Sequence, residues 1–168
     1  MSFVSTILNI VQQVQQDLEK FGCDKSTSLV KYSLHDLFDE IVTNQTLHKK
    51  TERLFKDGHH ARAVEEAYKL LDNIVKNKAN LQNTNLSGAT MMQKAFSPNN
   101  PILKLNSGST TSEQDEQLGY MQVFAGCMTG IRNPRAHDSD WEDTEERALQ
   151  LLAFANHLIE RAQLCQAV

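Results

Sequence analysis

Apolar residues recur at steps of three and four along most of this chain, and that period restricts the fold more than any other feature. Between Gly58 and about residue 79, Val64, Ala67, Tyr68, Leu71, Ile74 and Val75 share one face of a helix, and Arg62, Glu65, Glu66, Lys69, Asp72 and Lys76 share the other. The charged set reads as a solvated face with helix-spaced ion pairs. Ala148, Leu149, Leu151, Leu152, Ala155, Leu158, Ile159 and Ala162 give the last helix a wide buried face, behind a capping-box-like start at Asp143 and Glu146. Phe3, Ile7, Ile10, Val11, Val14, Leu18 and Phe21 predict an amphipathic helix over residues 2 to 21, capped by Ser2 and ended by Gly22. Its apolar stripe must be buried against the body or a second copy. Further helices are predicted over about 29 to 43, through Leu34, Leu37, Phe38 and Ile41, and over about 45 to 56. Few Gly, Pro and aromatic residues favour helices over sheets. The expected class is all-α, a helical bundle with an N-terminal helical arm at residues 1 to 46 and a main domain at 47 to 168.

From Asn80 to Thr111 the pattern weakens to Asn, Ser, Gly and Pro, apart from a short helical piece around 88 to 96. A long irregular connection of this kind is either functional, here a flap over a site, or a plain surface loop. A helix then starts at Ser112 or Thr111, with Glu113, Asp115 and Glu116 near its positive end, and runs to about Ile131. Leu118, Met121, Ala125 and Met128 form its stripe, which one step further reaches Arg132. Gly119, Gly126 and Gly130 fall on a neighbouring strip. Each costs about 1 kcal/mol relative to alanine inside a helix, which suggests close approach of another backbone, within the chain or from another subunit. A short link makes the last helix an antiparallel neighbour of this one.

Arg132-Asn133-Pro134-Arg135-Ala136-His137 lies at the turn between them. Asn133 reads as an N-cap and Pro134 as the first helical residue, with His137 one turn inside. Outward backbone N–H groups at such a start favour an anion, and Arg132 and Arg135 flank the spot with guanidinium forks suited to phosphate. The same residues admit a purely structural account, in which Arg132 pairs with Asp138 or Asp140, Asn133 merely caps and His137 is a satisfied helix histidine.

The rest of the 168-residue chain narrows the chemistry. The net charge of −4 and pI of about 5.8 argue against a broad nucleic-acid-coating surface, so any RNA contact is local. The three cysteines, Cys23, Cys127 and Cys165, lack metal-type spacing and read as reduced thiols. No apolar run reaches the roughly 18 residues of a membrane span, and the N-terminus does not resemble a signal peptide, so a cytoplasmic, membrane-free protein is expected. His59-His60 are adjacent and share no helix face, which disfavours a metal site. Phosphate loops, serine nucleophile elbows and zinc motifs are missing from the sequence.

An Arg, a polar residue, three further residues and a His resemble the signature of the HEPN superfamily. The flanking stretches carry the likeness further: Leu54-Phe55-Lys56-Asp57-Gly58-His59-His60, Ala63-Val64-Glu65-Glu66-Ala67-Tyr68, Met91-Met92-Gln93-Lys94-Ala95-Phe96-Ser97, Glu113-Gln114-Asp115-Glu116-Gln117-Leu118-Gly119, and Phe124-Ala125-Gly126-Cys127-Met128-Thr129-Gly130-Ile131. Together they resemble the abortive-infection-associated (Ymh-like) HEPN family over about residues 47 to 165. His60 stands where that family carries an aromatic.

RNA is cleaved without metal or cofactor when its own 2′-hydroxyl attacks the adjacent phosphate. A base must take that proton, an acid must protonate the leaving 5′-oxygen, and a cation must stabilise the phosphorane. Histidine and arginine suit these tasks. One motif holds one His, so two motifs meeting across a two-fold axis would supply both base and acid. The resemblance implies such a composite site in a homodimer or higher homo-oligomer, on an all-helical HEPN-like domain, with no cofactor, cutting RNA in phage defence, abortive infection or a toxin system; the low net basicity points to one exposed loop, such as that of a tRNA. Its implied site residues are Arg132, Asn133 and His137 as catalytic and Arg135 as phosphate-binding. The alternative is a non-catalytic module that assembles with an antitoxin or another defence partner.

Overall fold

The computed structural model describes residues 33–168 and, ahead of them, residues 10, 12–14, 16, 17 and 20. Those earlier residues are helical, and Ile10 and Val14 are exposed. The rest of the expected arm, with its Ser2 cap, its Gly22 end and Cys23, lies outside the described residues. The chain divides into the units Met1–Ser33 and Leu34–Val168.

The second unit is an all-α bundle: α1 (Leu34–Ile41), α2 (Gln45–Lys56), α3 (His60–Lys78), α4 (Gly88–Ala95), β1 (Leu103–Lys104), α5 (Thr111–Cys127), a π-helical turn (Met128–Arg132), α6 (Asn133–His137), α7 (Glu145–Leu164) and β2 (Gln166–Ala167). Residues 34–46, read from the sequence as part of the arm, belong to this unit, because Phe38 and Val42 are buried in its core and Phe38 stacks on Phe55 of α2 at 4.9 Å. The central element is α3. Ala63, Val64, Ala67, Tyr68, Leu71 and Val75 are fully buried, and α2 and α7 pack on it. Burying a large apolar side chain contributes about 1.5–3 kcal/mol, so this face anchors the unit. Tyr68 also donates its hydroxyl to the Leu151 carbonyl of α7 at 3.1 Å.

Several expectations change once the elements pack. Glu65, assigned to the solvated face of α3, is buried between Arg62 and Lys69. The buried side of α5 is formed by Gln117, Phe124, Ala125 and Cys127 and is continued by Met128 of the π-helical turn, while Leu118 is exposed. Of the expected stripe, Ala125 and Met128 are buried and Met121 is half-buried, and burial extends to Phe124, which stacks face to face on Phe96 at 4.4 Å. Helix α7 packs chiefly on α3. Long side chains link it to α5: Tyr120 Oη meets His157 Nε2 at 2.8 Å, and Arg161 reaches Glu116 at 2.7 Å with its guanidinium 5.0 Å from the Tyr120 ring centre.

The weakly patterned segment after Asn80 is tied to the core. Leu81, Met91, Met92, Phe96 and Leu103 are buried, and β1 pairs antiparallel with β2, Leu103 opposite Ala167. The buried Gln117 amide donates to the carbonyls of Phe96 (2.9 Å) and Leu103 (3.1 Å) and accepts from the Leu105 N–H (3.0 Å). One side chain thus satisfies three backbone groups of this segment, one of them the carbonyl of Leu103 in β1. These ties hold the segment to the body, where a flap would have to be free. Among the described residues, no helix is long and apolar enough to cross a membrane.

Candidate functional site

The motif does not open a new helix. Chain direction is kept from α5 through the π-helical turn into α6, and Asn133 has helical angles, φ −62° and ψ −43°. Its N–H donates to the Met128 carbonyl, five residues back. The reason is Pro134. Inside a helix it lacks the N–H for a bond to residue i−4, and its ring collides with that residue's carbonyl. A wider, π-helical turn stands immediately ahead of it, and π-bulges of this kind recur at functional sites. Asn133 therefore does not act as an N-cap, and the free N–H groups expected to hold an anion are not there. Asn133 also keeps helical angles that a residue before proline normally avoids.

The four motif side chains separate into three environments. His137, the last residue of α6, is exposed and has no hydrogen-bond partner among the described residues. Arg132 is half-buried; its Nη1 donates to Asn133 Oδ1 at 3.2 Å, and its Nε is buried without a partner. Neither Asp138 nor Asp140 pairs with it: Asp138 Oδ1 accepts the Asp140 N–H at 3.0 Å, closing a local turn. The guanidinium of Arg132 is thus held by a neutral amide and keeps its charge uncompensated by an acid among the described residues.

Arg135 is turned inward. Its Nε and Nη2 grip Asp143 at 2.6 and 2.7 Å, and Nη1 donates to the Ile131 carbonyl at 2.7 Å. With a side chain 1% exposed, it has little surface to offer a phosphate. The sequence signal for this pairing was Asp143, read as a helix cap. The cap is Thr144, whose hydroxyl accepts from the Arg147 N–H at 3.3 Å, and this leaves the Asp143 carboxylate free to turn inward to Arg135. Trp141 completes the layer, with Arg135 5.5 Å and Arg147 5.9 Å from its ring centre.

Beside this layer lies an open cleft of about 470 Å³, lined by the turn Gly58–Arg62, Glu65, Arg135 and the residues 138, 139 and 141–143. His59 occupies the position ahead of α3 without making a side-chain cap, and the His60 ring lies 5.4 Å from Phe55. Sequence reasoning passed over this cleft because its two walls are some eighty residues apart in the chain.

Elsewhere, Asp39, His48 and Glu52 stand close enough for one metal ion. Two of the three already bind Lys56 Nζ, which lies 2.9 and 3.1 Å from the Asp39 oxygens and 2.9 Å from Glu52. The hydrogen bond from Lys56 holds the Asp39 carboxyl below its ordinary range. Cys127 and Cys165 are free thiols; burial pushes Cys127 up to about 12 and raises Cys165, so neither serves as a ready nucleophile.

On α5 and the π-helical turn, a Cβ placed on Gly119, Gly126 or Gly130 would meet nothing within 4 Å. Among the described residues, nothing makes the close backbone approach expected along this strip. Leu118 and Val123, each 39% exposed, lie on the same helix.

No curated protein and no solved structure matches the chain significantly. A family model described as "Protein of unknown function (Hypoth_ymh)" matches residues 42–162, a span from Val42 at the end of α1 to Ala162 in α7 that takes in the whole motif. The chain belongs to the Hypoth_ymh family.

Proposed function

We propose that this chain is a HEPN-type, metal-independent endoribonuclease of a phage-defence, abortive-infection or toxin system, which cleaves RNA by attack of its own 2′-hydroxyl at a site assembled from two copies. The observation that carries the reading is the state of the two motif residues: among the described residues, the exposed imidazole of His137 has no hydrogen-bond partner and the guanidinium of Arg132 has no carboxylate. Buried polar groups are normally paired, as Arg135 is here, whereas Arg132 Nε is buried with no partner among the described residues.

In this mechanism the His137 imidazole of one copy takes the 2′-hydroxyl proton. The attacking oxygen forms a bond to phosphorus, and the P–O5′ bond breaks. The His137 imidazolium of the second copy gives its proton to the departing 5′-oxygen. The products are a 2′,3′-cyclic phosphate and a 5′-hydroxyl. Arg132 holds the non-bridging oxygens as charge builds on them. Asn133 orients Arg132 through the 3.2 Å hydrogen bond. Arg135 is a positioning residue that fixes the α6–α7 connection. Among the described residues nothing covers the glycine strip, which favours a second copy seated there, since helix-interior glycines are costly.

The same strip also favours a second reading, a non-catalytic module that assembles with an antitoxin or another defence subunit. Incubating wild type, His137→Ala and Arg132→Ala with total RNA and with tRNA in EDTA separates the two. Cleavage by wild type alone, leaving cyclic-phosphate ends, is expected. Three inert proteins that are folded and dimeric would instead support the interaction module.

A further inference from the structure

The Arg135–Asp143 pair leaves a neighbouring cation uncommitted. Asp143 gives both carboxylate oxygens to Arg135, and Arg147 reaches it only through Nε at 3.5 Å. Two guanidiniums share one carboxylate, so the group keeps one net positive charge. That charge is presented by Arg147, whose side chain is 57% exposed where that of Arg135 is 1% exposed. Among the described residues the Arg147 side chain makes no hydrogen bond, and its guanidinium lies 5.9 Å from the centre of the Trp141 ring. An aromatic face steadies a guanidinium without using its N–H donors. Both Nη groups are therefore held in place and left open to a ligand.

The position of Arg147 follows from the helix register. Helices α5 and α7 run antiparallel, since Glu116 meets Arg161 and Tyr120 meets His157. From the second link each path advances about 15 Å, one to Gly130 and the other to Arg147. Arg147, His157 and Arg161 fall on one stripe of α7, the stripe that meets α5. Arg147 thus stands at the level of the π-helical turn that ends in Arg132, on the side which that turn occupies. Most nearby acids are placed elsewhere: Asp138, Glu142 and Asp143 line the cleft, of whose lining Arg147 is no part, and Glu145 reaches His35 of α1 at 3.4 Å. Glu146 stands about 100° round the helix.

We infer that Arg147 binds a backbone phosphate of RNA next to the one held by Arg132, the role that the sequence assigns to Arg135. The inference rests on the nuclease reading for the identity of the polyanion and adds to it the residue that grips the strand. A guanidinium with both Nη groups open bonds two phosphate oxygens at once. Because Asp143 is satisfied by Arg135, Arg147 gives up only one long ion-pair contact when the phosphate arrives.

The test uses a labelled 2′-O-methyl oligoribonucleotide, which has the RNA backbone and no hydroxyl to attack, with binding followed by anisotropy from about 50 to 200 mM salt. Arg147→Gln is expected to weaken binding about tenfold at the low end, the loss of one hydrogen-bonded charge, and to flatten the log–log salt slope by about 0.7, the share of one single-strand phosphate. Arg147→Lys should keep the slope and lose less affinity, since it retains the charge without the fork. Both variants should melt with wild type, because the side chain is exposed. Wild type that fails to bind at low salt, Arg147→Gln with unchanged affinity, or weaker binding with an unchanged slope would each overturn the proposal. Cleavage of natural RNA separates it from the nuclease reading. If wild type and Arg147→Gln bind and cut alike, the phosphate site alone is refuted. If wild type binds through Arg147 and cuts nothing, the site stands and the nuclease falls.

Discussion

Arg135 and Asp143 form a bidentate ion pair at 2.6 and 2.7 Å with side chains 1% and 0% exposed, and this pair ties α6 to the start of α7. Removing one partner strands a charge out of water, which costs about 3–5 kcal/mol, whereas replacing both with apolar residues costs much less. Arg135→Ala and Asp143→Ala should each lower the urea midpoint by that equivalent, and Arg135→Met with Asp143→Leu should recover most of it. Single variants as stable as wild type, yet weak in RNA binding, would return Arg135 to the role of a phosphate ligand.

His137 is exposed and bonded to nothing among the described residues, so His137→Ala should change stability by no more than about 0.5 kcal/mol while abolishing cleavage. Thermal melts beside cleavage assays check this. A loss of activity that tracks a loss of folded protein would contradict the assigned role.

At Gly126 an added methyl meets nothing within 4 Å, and alanine is a better helix former by about 1 kcal/mol. Gly126→Ala should therefore raise the stability of the isolated protomer. Gly126→Leu should reduce both self-association in sedimentation and RNA cleavage, because a larger side chain fills the strip where the second copy is proposed to seat. A Leu variant that remains dimeric and active would move the interface elsewhere.

Glu65 carries the clearest acid dependence. Burial would raise its pKa, but the Lys69 hydrogen bond and the charges of Lys69 and Arg62 outweigh that and hold it below the ordinary 4.5. A depressed carboxylate contributes stability that is full above the unfolded pKa and is lost as pH falls through the folded one. Wild type should lose more stability than Glu65→Gln as pH is lowered from about 5 toward 3, measured by urea unfolding at each pH. Parallel curves for the two proteins would refute this coupling.

Much of the bundle was legible in the chain. Val64 to Val75 and Ala148 to Ala162 bury the faces that their spacing dictates, because helix period and core burial are one pattern seen twice. Helix α5 was harder to read: Gln117 belongs to its buried side, and no hydropathy pattern marks a buried amide whose three partners, Phe96, Leu103 and Leu105, lie in the weakly patterned stretch between α4 and α5.

The sequence by itself determined the all-helical class, the main buried stripes and the position of the Arg132–His137 motif, since each depends on residues a few positions apart. Tertiary structure alone decided that Pro134 sits within a continued helix behind a π-helical turn, that Arg135 faces Asp143 and not solvent, and that His59 and Glu142 border one cleft. Those outcomes depend on which long-range packing leaves a turn widened, a charge desolvated or a space unfilled, and neither periodicity nor residue type carries that information.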